Sequence, residues 1–277
     1  MKKLLLIPLL AAILLSSCAG NSNKKTDAEK WNLKGKIKTL KEIPYEAVEK
    51  FGKVEKGEQS YQNVKHILYN KSGNFIEYSQ YRASGKLDSK DIYEYNDKDR
   101  LTEKNSYDGK GTLEKKYTYE YDNKGNLVAE VEYDSDGDFE DRQIYKCDDK
   151  GYLIESKTLN SGRTYKYKYD NKGNAIELCW YDSDGDLEYK CVNDFDEKGN
   201  IEVFSWYDSD GSLSLRFTYK YDDNNNVVEK VDYDSDGNID TKQTYKYEYD
   251  AKDNWTTRYE YKDNTPKNVI VREIEYY

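Results

Sequence analysis

Between Leu113 and Tyr133 the chain alternates with a period of two. Leu113, Tyr117, Tyr119 and Tyr121 fall on one parity, with Lys115 the exception, and Glu114, Lys116, Thr118 and Glu120 fall on the other. Aromatic residues on one side and polar residues on the other predict a half-buried β-strand. Asp122-Asn123-Lys124-Gly125 follows. Asp first and Gly fourth predict a type I turn closed by a left-handed glycine, so that Leu127–Tyr133 returns as the second strand of a hairpin. An unbroken register sets Tyr121 opposite Leu127, Tyr119 opposite Ala129 and Tyr117 opposite Val131. A second turn of the same logic, Asp134-Ser135-Asp136-Gly137, recurs at Asp182, Asp208 and Asp234 and leads into the next hairpin.

The hairpin is the unit of a repeat. The anchor Tyr-x-Tyr-Asp-x-x-Gly-Asn-(Leu/Val) begins at Tyr93, Tyr119, Tyr145, Tyr167, Asn193, Tyr219 and Tyr247, with a degenerate copy at Ile67 and a commonest period of 26 residues. Such a period implies stacked supersecondary units. The expected fold is all-β: antiparallel hairpin repeats of about eighteen strands, forming a long curled sheet or solenoid, because sheets of that size twist. Residues 34–47 and 268–276 read as flanking strands, and Val48–Glu58 as a longer loop or short helical turn.

At the N-terminus Lys2 and Lys3 precede an apolar run, Leu4–Leu15, shorter than the roughly 20 residues a membrane helix needs. It reads as a secretory signal over residues 1–17. Leu15-Ser16-Ser17-Cys18 resembles the lipobox of bacterial lipoproteins, which implies lipid attachment at Cys18. Residues 18–30 then read as a polar tether and residues 31–277 as the repeat domain. The expected location is the bacterial cell envelope: lipid-anchored, at the outer membrane, periplasmic or surface-facing. Net charge is −10, or −12 without Lys2 and Lys3, and mean hydropathy is −1.10. The acidic balance argues against nucleic acid. The 30 tyrosines argue against disorder, since each ring carries apolar area and a polar handle.

The motif, followed by Tyr-Asp-x-x-Gly, resembles the YD (tyrosine–aspartate) repeats of the RHS proteins over roughly residues 67–261. That resemblance implies the hairpin architecture. In large members the repeats coil into a shell around a C-terminal toxin, whereas here the last unit is followed by a short terminal strand. The chain is also similar to small exported repeat lipoproteins and, less closely, to MORN-like repeat proteins associated with toxin immunity.

Little in the sequence points to catalysis. His66 is the single histidine and has no nucleophile motif near it. The acids recur with the repeat, whereas a catalytic carboxylate pair is singular. Glycine stands fourth in Asp-Ser-Asp-Gly, as a turn requires, and not sixth as in an EF-hand loop, so no metal and no cofactor is expected. Cys147, Cys179 and Cys191 read as small inward-facing thiols, with a Cys179–Cys191 bridge left open. The candidate binding site is a break in pattern. Ile176, Leu178, Trp180, Phe204 and Trp206 make the outward parity of two neighbouring return strands apolar, on the face opposite the tyrosines. Such a platform suits a sugar ring, a peptide or a partner protein, unless the N-terminal segment or the rolled sheet covers it. The expected function is therefore a non-enzymatic envelope lipoprotein that binds or scaffolds glycan or protein. Toxin immunity or cargo sequestration in the curled interior is the alternative.

Overall fold

The computed structural model describes residues 25–277. The expected signal, Cys18 and the first part of the tether lie outside the described residues. A short helix, α1 (Asp27–Lys30), precedes β1 (Ile37–Lys50), β2 (Lys53–Gln59), β3 (Val64–Tyr69), β4 (Phe75–Tyr81), β5 (Leu87–Tyr95), β6 (Leu101–Asp108) and β7 (Leu113–Tyr121). The chain continues through β8 (Leu127–Asp134), β9 (Phe139–Cys147), β10 (Leu153–Thr158), β11 (Thr164–Tyr169), β12 (Ala175–Tyr181) and β13 (Leu187–Phe195). It ends with β14 (Ile201–Asp208), β15 (Leu213–Tyr221), β16 (Val227–Tyr233), β17 (Ile239–Tyr249), β18 (Trp255–Lys262) and β19 (Thr265–Tyr276).

From β3 to β19 each strand pairs antiparallel with the next, as the repeat predicts. The ends of this meander do not stay apart. β19 pairs with β1 from Ile37↔Tyr276 to Glu46↔Asn268, and the other edge of β1 pairs with β3 from Thr39↔Leu68 to Glu42↔Lys65. The result is a closed barrel of 18 strands, which corrects the expected open curled sheet or solenoid. Closure satisfies the two edges that a long meander would leave bare. At about 4.8 Å per strand the wall has a radius of roughly 14 Å before tilt is added. Val48–Glu58, expected as loop or helical turn, instead forms most of a hairpin, in which β2 pairs with β1 outside the ring.

The turns form as read. Asp122 Oδ1 accepts the Asn126 N–H at 2.8 Å, and the Gly125 N–H donates to Asp122 O at 3.0 Å. Gly125 has φ 89°, and a Cβ there would collide with the Arg100 guanidinium. The same geometry closes both ends of the barrel, but its third residue differs. At the end holding the Tyr-Asp turns it is lysine in six turns, Lys98, Lys124, Lys150, Lys172, Lys198 and Lys252, with Ser72 and Asn224 as exceptions; at the other end it is aspartate in four, Asp136, Asp184, Asp210 and Asp236, with Ser84 and Lys110 as exceptions.

The register beyond the turn departs from the expected one. Tyr121 does face Leu127, but the next pairs are Glu120↔Ala129, Tyr119↔Glu130 and Tyr117↔Glu132. A β-bulge absorbs one extra residue on the return strand, so every later side chain changes face. The bulge frees a carbonyl, and a tyrosine one repeat later holds it. Tyr121 Oη donates to Leu101 O at 2.8 Å, Tyr169 to Leu153 O at 2.8 Å and Tyr221 to Ile201 O at 2.7 Å. Phe195 breaks this series, and Asn193 Nδ2 replaces the missing hydroxyl, donating to Ala175 O at 2.8 Å.

The outer wall is built for water. Lys116–Glu103, Arg142–Glu120, Lys168–Glu177 and Lys220–Glu229 pair across strands at 2.6–2.8 Å. Near the Asp-rich end, cations cap outward tyrosines: Lys166 on Tyr181 at 5.0 Å and Lys190 on Tyr207 at 5.2 Å. A lipid-facing barrel needs an outward apolar band about 25 Å tall, which these charged rows do not provide.

Candidate functional site

Because of the bulge, the five candidate residues do not lie opposite the tyrosines. Trp180 pairs with Tyr165 and Leu178 with Tyr167 on one side of β12, and with Tyr189 and Cys191 on the other. Phe204 pairs with Asn193 and Phe217, and Trp206 with Cys191 and Leu215. The expected outward platform is therefore part of the inner wall, a correction that follows from one inserted residue per hairpin. Trp180 is 8% exposed and Phe204 3%. Together with Tyr145, Leu153, Tyr167, Leu178 and Cys191 they form one hydrophobic cluster. Ile176 sits at the bulge, outside that cluster.

Trp206 is only half-buried. Its ring lies 4.9 Å from that of Trp180, tilted by 30°, and 5.4 Å from that of Tyr189, which is 39% exposed. Trp180 thus supports Trp206 from behind, and Trp206 and Tyr189 present aromatic surface to the interior.

Elsewhere the same inner wall is ionic. Glu42 Oε1 accepts from Arg272 Nε and Nη2 at 2.9 and 2.8 Å, and Lys65 Nζ donates to Glu42 Oε2 at 3.0 Å. Burial raises the Glu42 carboxyl, but Arg272 and Lys65 outweigh it and hold the pKa below the usual value. Trp255 lies between two guanidiniums, Arg272 at 3.5 Å and Arg258 at 5.0 Å from the ring. Arg258 in turn pairs with Glu260 at 2.6 Å. On β8, Glu130 faces Tyr119 and Gln143 across the strands, and burial raises its carboxyl pKa.

These regions do not merge into one core. The aromatic cluster spans β9 to β14, and the second cluster joins β1, β3 and the N-terminal segment. In β5 and β6 nearly every residue on both faces keeps intermediate exposure. This arc therefore lacks a tightly packed apolar cluster of its own. One mouth is crossed by residues 26–34. Ala28 N donates to Gly73 O at 2.9 Å, Asn32 Nδ2 to Asn224 O at 2.8 Å and Lys34 N to Asn254 Oδ1 at 2.8 Å. The Trp31 ring packs on Phe75 and Tyr78 beneath the Lys65 ammonium. Residues 27–30, expected as tether, are thus part of the folded barrel.

Sequence reading missed the ionic network, whose members come from β1, β3, β18 and β19 and share no motif. Cys179 faces outward and Cys191 inward from adjacent strands, since Leu178 and not Cys179 pairs with Cys191. Both are free thiols, and this settles the bridge that the sequence left open. His66 lies on the outer parity of β3. Among the described residues no group of His, Cys, Asp or Glu side chains is arranged to hold a metal ion. The turn aspartates instead direct a carboxylate oxygen into their own backbone N–H groups.

Compared with solved structures, the chain is similar to a porin-like protein from Bacteroides uniformis, at 13% identity and TM-score 0.47 over 87% of this chain and 99% of that one. A porin-like protein from Bacteroides vulgatus matches at 12% identity and TM-score 0.32, over 85% and 97%. The Photorhabdus luminescens Tc holotoxin pore matches at 14% identity and TM-score 0.38, over 76% of this chain and 12% of that one. No curated protein matches the sequence. A family profile matches residues 41–136 and 120–238, more than half of the chain, and the protein therefore belongs to that family, whose description reads "Uncharacterised protein".

Proposed function

We propose that the protein is a non-enzymatic binding module of the bacterial cell envelope, held to the membrane by lipid on Cys18, with its ligand taken into the barrel. The observation that carries this reading is the combination of a charged outer wall with the Trp206–Tyr189 aromatic surface on the inner one. Large β-barrels that are apolar within and polar without enclose ligands. The ligand class that fits is glycan. A sugar ring stacks its C–H face on an exposed indole. A polypeptide cargo is the second reading, favoured by the two clusters that leave the interior unfilled.

The test is titration of residues 25–277 with a panel of linear neutral, amino and acidic oligosaccharides, followed by tryptophan fluorescence and calorimetry. Binding by one class, abolished in Trp206→Ala with the fold intact, supports the glycan reading. No heat or fluorescence change across the panel, or binding untouched by Trp206→Ala, overturns it. Anchoring is tested separately: Cys18→Ala should move the protein out of the membrane fraction.

A further inference from the structure

The hairpin of β1 and β2 is the part of the barrel that the repeat does not explain. β1 leaves the wall at Glu46↔Asn268, its last pair with β19, but continues to pair with β2 as far as Lys50↔Lys53. Four further residues carry the ribbon about 13 Å past the rim. At its tip stand Phe51, with φ 52°, and Gly52, with φ 75°. Two successive positive φ values make a two-residue turn of the type that prefers Asn-Gly, and a bulky residue in the first position is strained. The Phe51 ring is also 106% exposed, so nothing within the chain offsets either cost. Strain and exposure at one side chain mark a residue kept for a contact outside its own fold.

The foot of the same ribbon holds a broadly open pocket of 340 Å³, lined mostly by polar residues (Glu46, Ser60, Gln62, Lys267 and Asn268), with Ala47 and Tyr61 as its apolar surface. Tyr61 is 94% exposed, so its ring is free to stack against a second phenyl ring. Lys50 and Lys53 stand beside the tip with Glu49 next to them, and Glu46 and Glu58 stand at the foot, where Lys267 also lines the pocket. Tip and foot lie about 17 Å apart. Two ribbons laid antiparallel about a two-fold axis would place each tip on the other's foot, lysines against glutamates. Such an isologous contact closes on itself.

We infer that the β1–β2 hairpin is a self-association arm, and that Phe51 of one copy seats in the pocket at the foot of the hairpin of a second copy. The contact lies at the rim away from the mouth crossed by residues 26–34, so it does not depend on what the barrel binds.

The experiment is light scattering and sedimentation of residues 25–277, which contain the whole ring, over a concentration series. The wild-type domain should form a dimer that dissociates on dilution. Phe51→Asn should be monomeric at the same concentrations while its melting temperature stays equal or rises, because Asn-Gly suits the turn. A variant with acidic tips (Lys50→Glu, Lys53→Glu) and a variant with basic feet (Glu46→Lys, Glu58→Lys) should each be monomeric alone. Mixed in equal amounts they should form a dimer of one copy of each. A wild-type domain that is monomeric throughout, a Phe51→Asn domain that still dimerises, or charge variants that do not recombine would each overturn the inference.

Discussion

Two arcs of one inner wall solve the problem of facing inward in opposite ways. From β9 to β14 the wall is a hydrophobic cluster built on Trp180, Phe204 and Leu178. From β18 through β19 and β1 to β3 it is a network of Glu42, Arg272, Lys65, Arg258 and Glu260 around Trp255. The backbone is the same antiparallel meander in both. The difference teaches that the repeat specifies turns and bulges and leaves the inward positions free to vary. It also predicts different responses to injury. An apolar cluster loses roughly what is cut from it, whereas a buried ion network fails when one charge loses its partner.

Alkaline pH should break both arcs together, and this is the largest effect expected. Burial raises the hydroxyl pKa of tyrosines throughout the wall, to about 12 for Tyr121 and Tyr221 and further for Tyr93, Tyr119 and Tyr145. A raised pKa favours the protonated folded form. Its contribution is complete below the unfolded value of about 10 and is lost as pH climbs toward and through the folded values. Circular dichroism should show one cooperative unfolding beginning near pH 10, and two separated transitions would show that the arcs unfold independently. Within the ionic arc, Arg272→Ala should cost about 3–5 kcal/mol in urea unfolding, since Glu42 stays buried without its main partner. Replacing both, Glu42→Leu with Arg272→Met, should recover most of that loss. In the aromatic arc Trp180→Ala should cost about 3 kcal/mol, the lower end for a large core truncation, because the cluster borders an open interior. No paired replacement rescues that site. Tyr221→Phe keeps the ring and removes one hydroxyl, leaving the Ile201 carbonyl unheld at a cost of about 1–2 kcal/mol. The smallest effect belongs to the turns. The backbone N–H groups of Asn126 and Asn174 hold Asp122 and Asp170 below the usual carboxylate range. This contribution is present above the unfolded value of about 3.9 and fades as pH falls through the folded values. Asp122→Asn should therefore flatten the acid limb of the stability profile by slightly lowering its neutral plateau, with stability in strong acid unchanged.

The hairpins and their turns were legible because they rest on local chemistry: alternation, an aspartate that accepts backbone N–H groups, a glycine at positive φ. The faces of the return strands were not. Leu127 pairs as expected, and one residue later the bulge exchanges Ala129 for Glu130 opposite Tyr119. Alternation is blind to that slip, since a return strand reads equally well in either parity. The signal that could have found it is the tyrosine before most of these turns, whose hydroxyl had to reach some unpaired group. Closure was hidden for a different reason. It depends on β1 meeting β19 across more than two hundred residues, a pairing that the repeat period does not encode. The Trp pair was singled out correctly as a break in pattern and assigned to the wrong face by the same one-residue slip.

The two sets of turns share a geometry, but one most often carries a lysine in third place and the other most often an aspartate. Neither residue is needed by the turn, so the choice has no conformational purpose that the other could not serve. Its consequence is an electrical axis. Lysines offset the turn acids at one mouth of the barrel, whereas aspartates add to them at the other, so one end of the molecule is more negative than its opposite. Near any charged surface it should feel a torque before it makes a contact, and it should arrive with a definite end forward. Salt should confine that alignment to separations within a Debye length, about 8 Å at physiological ionic strength.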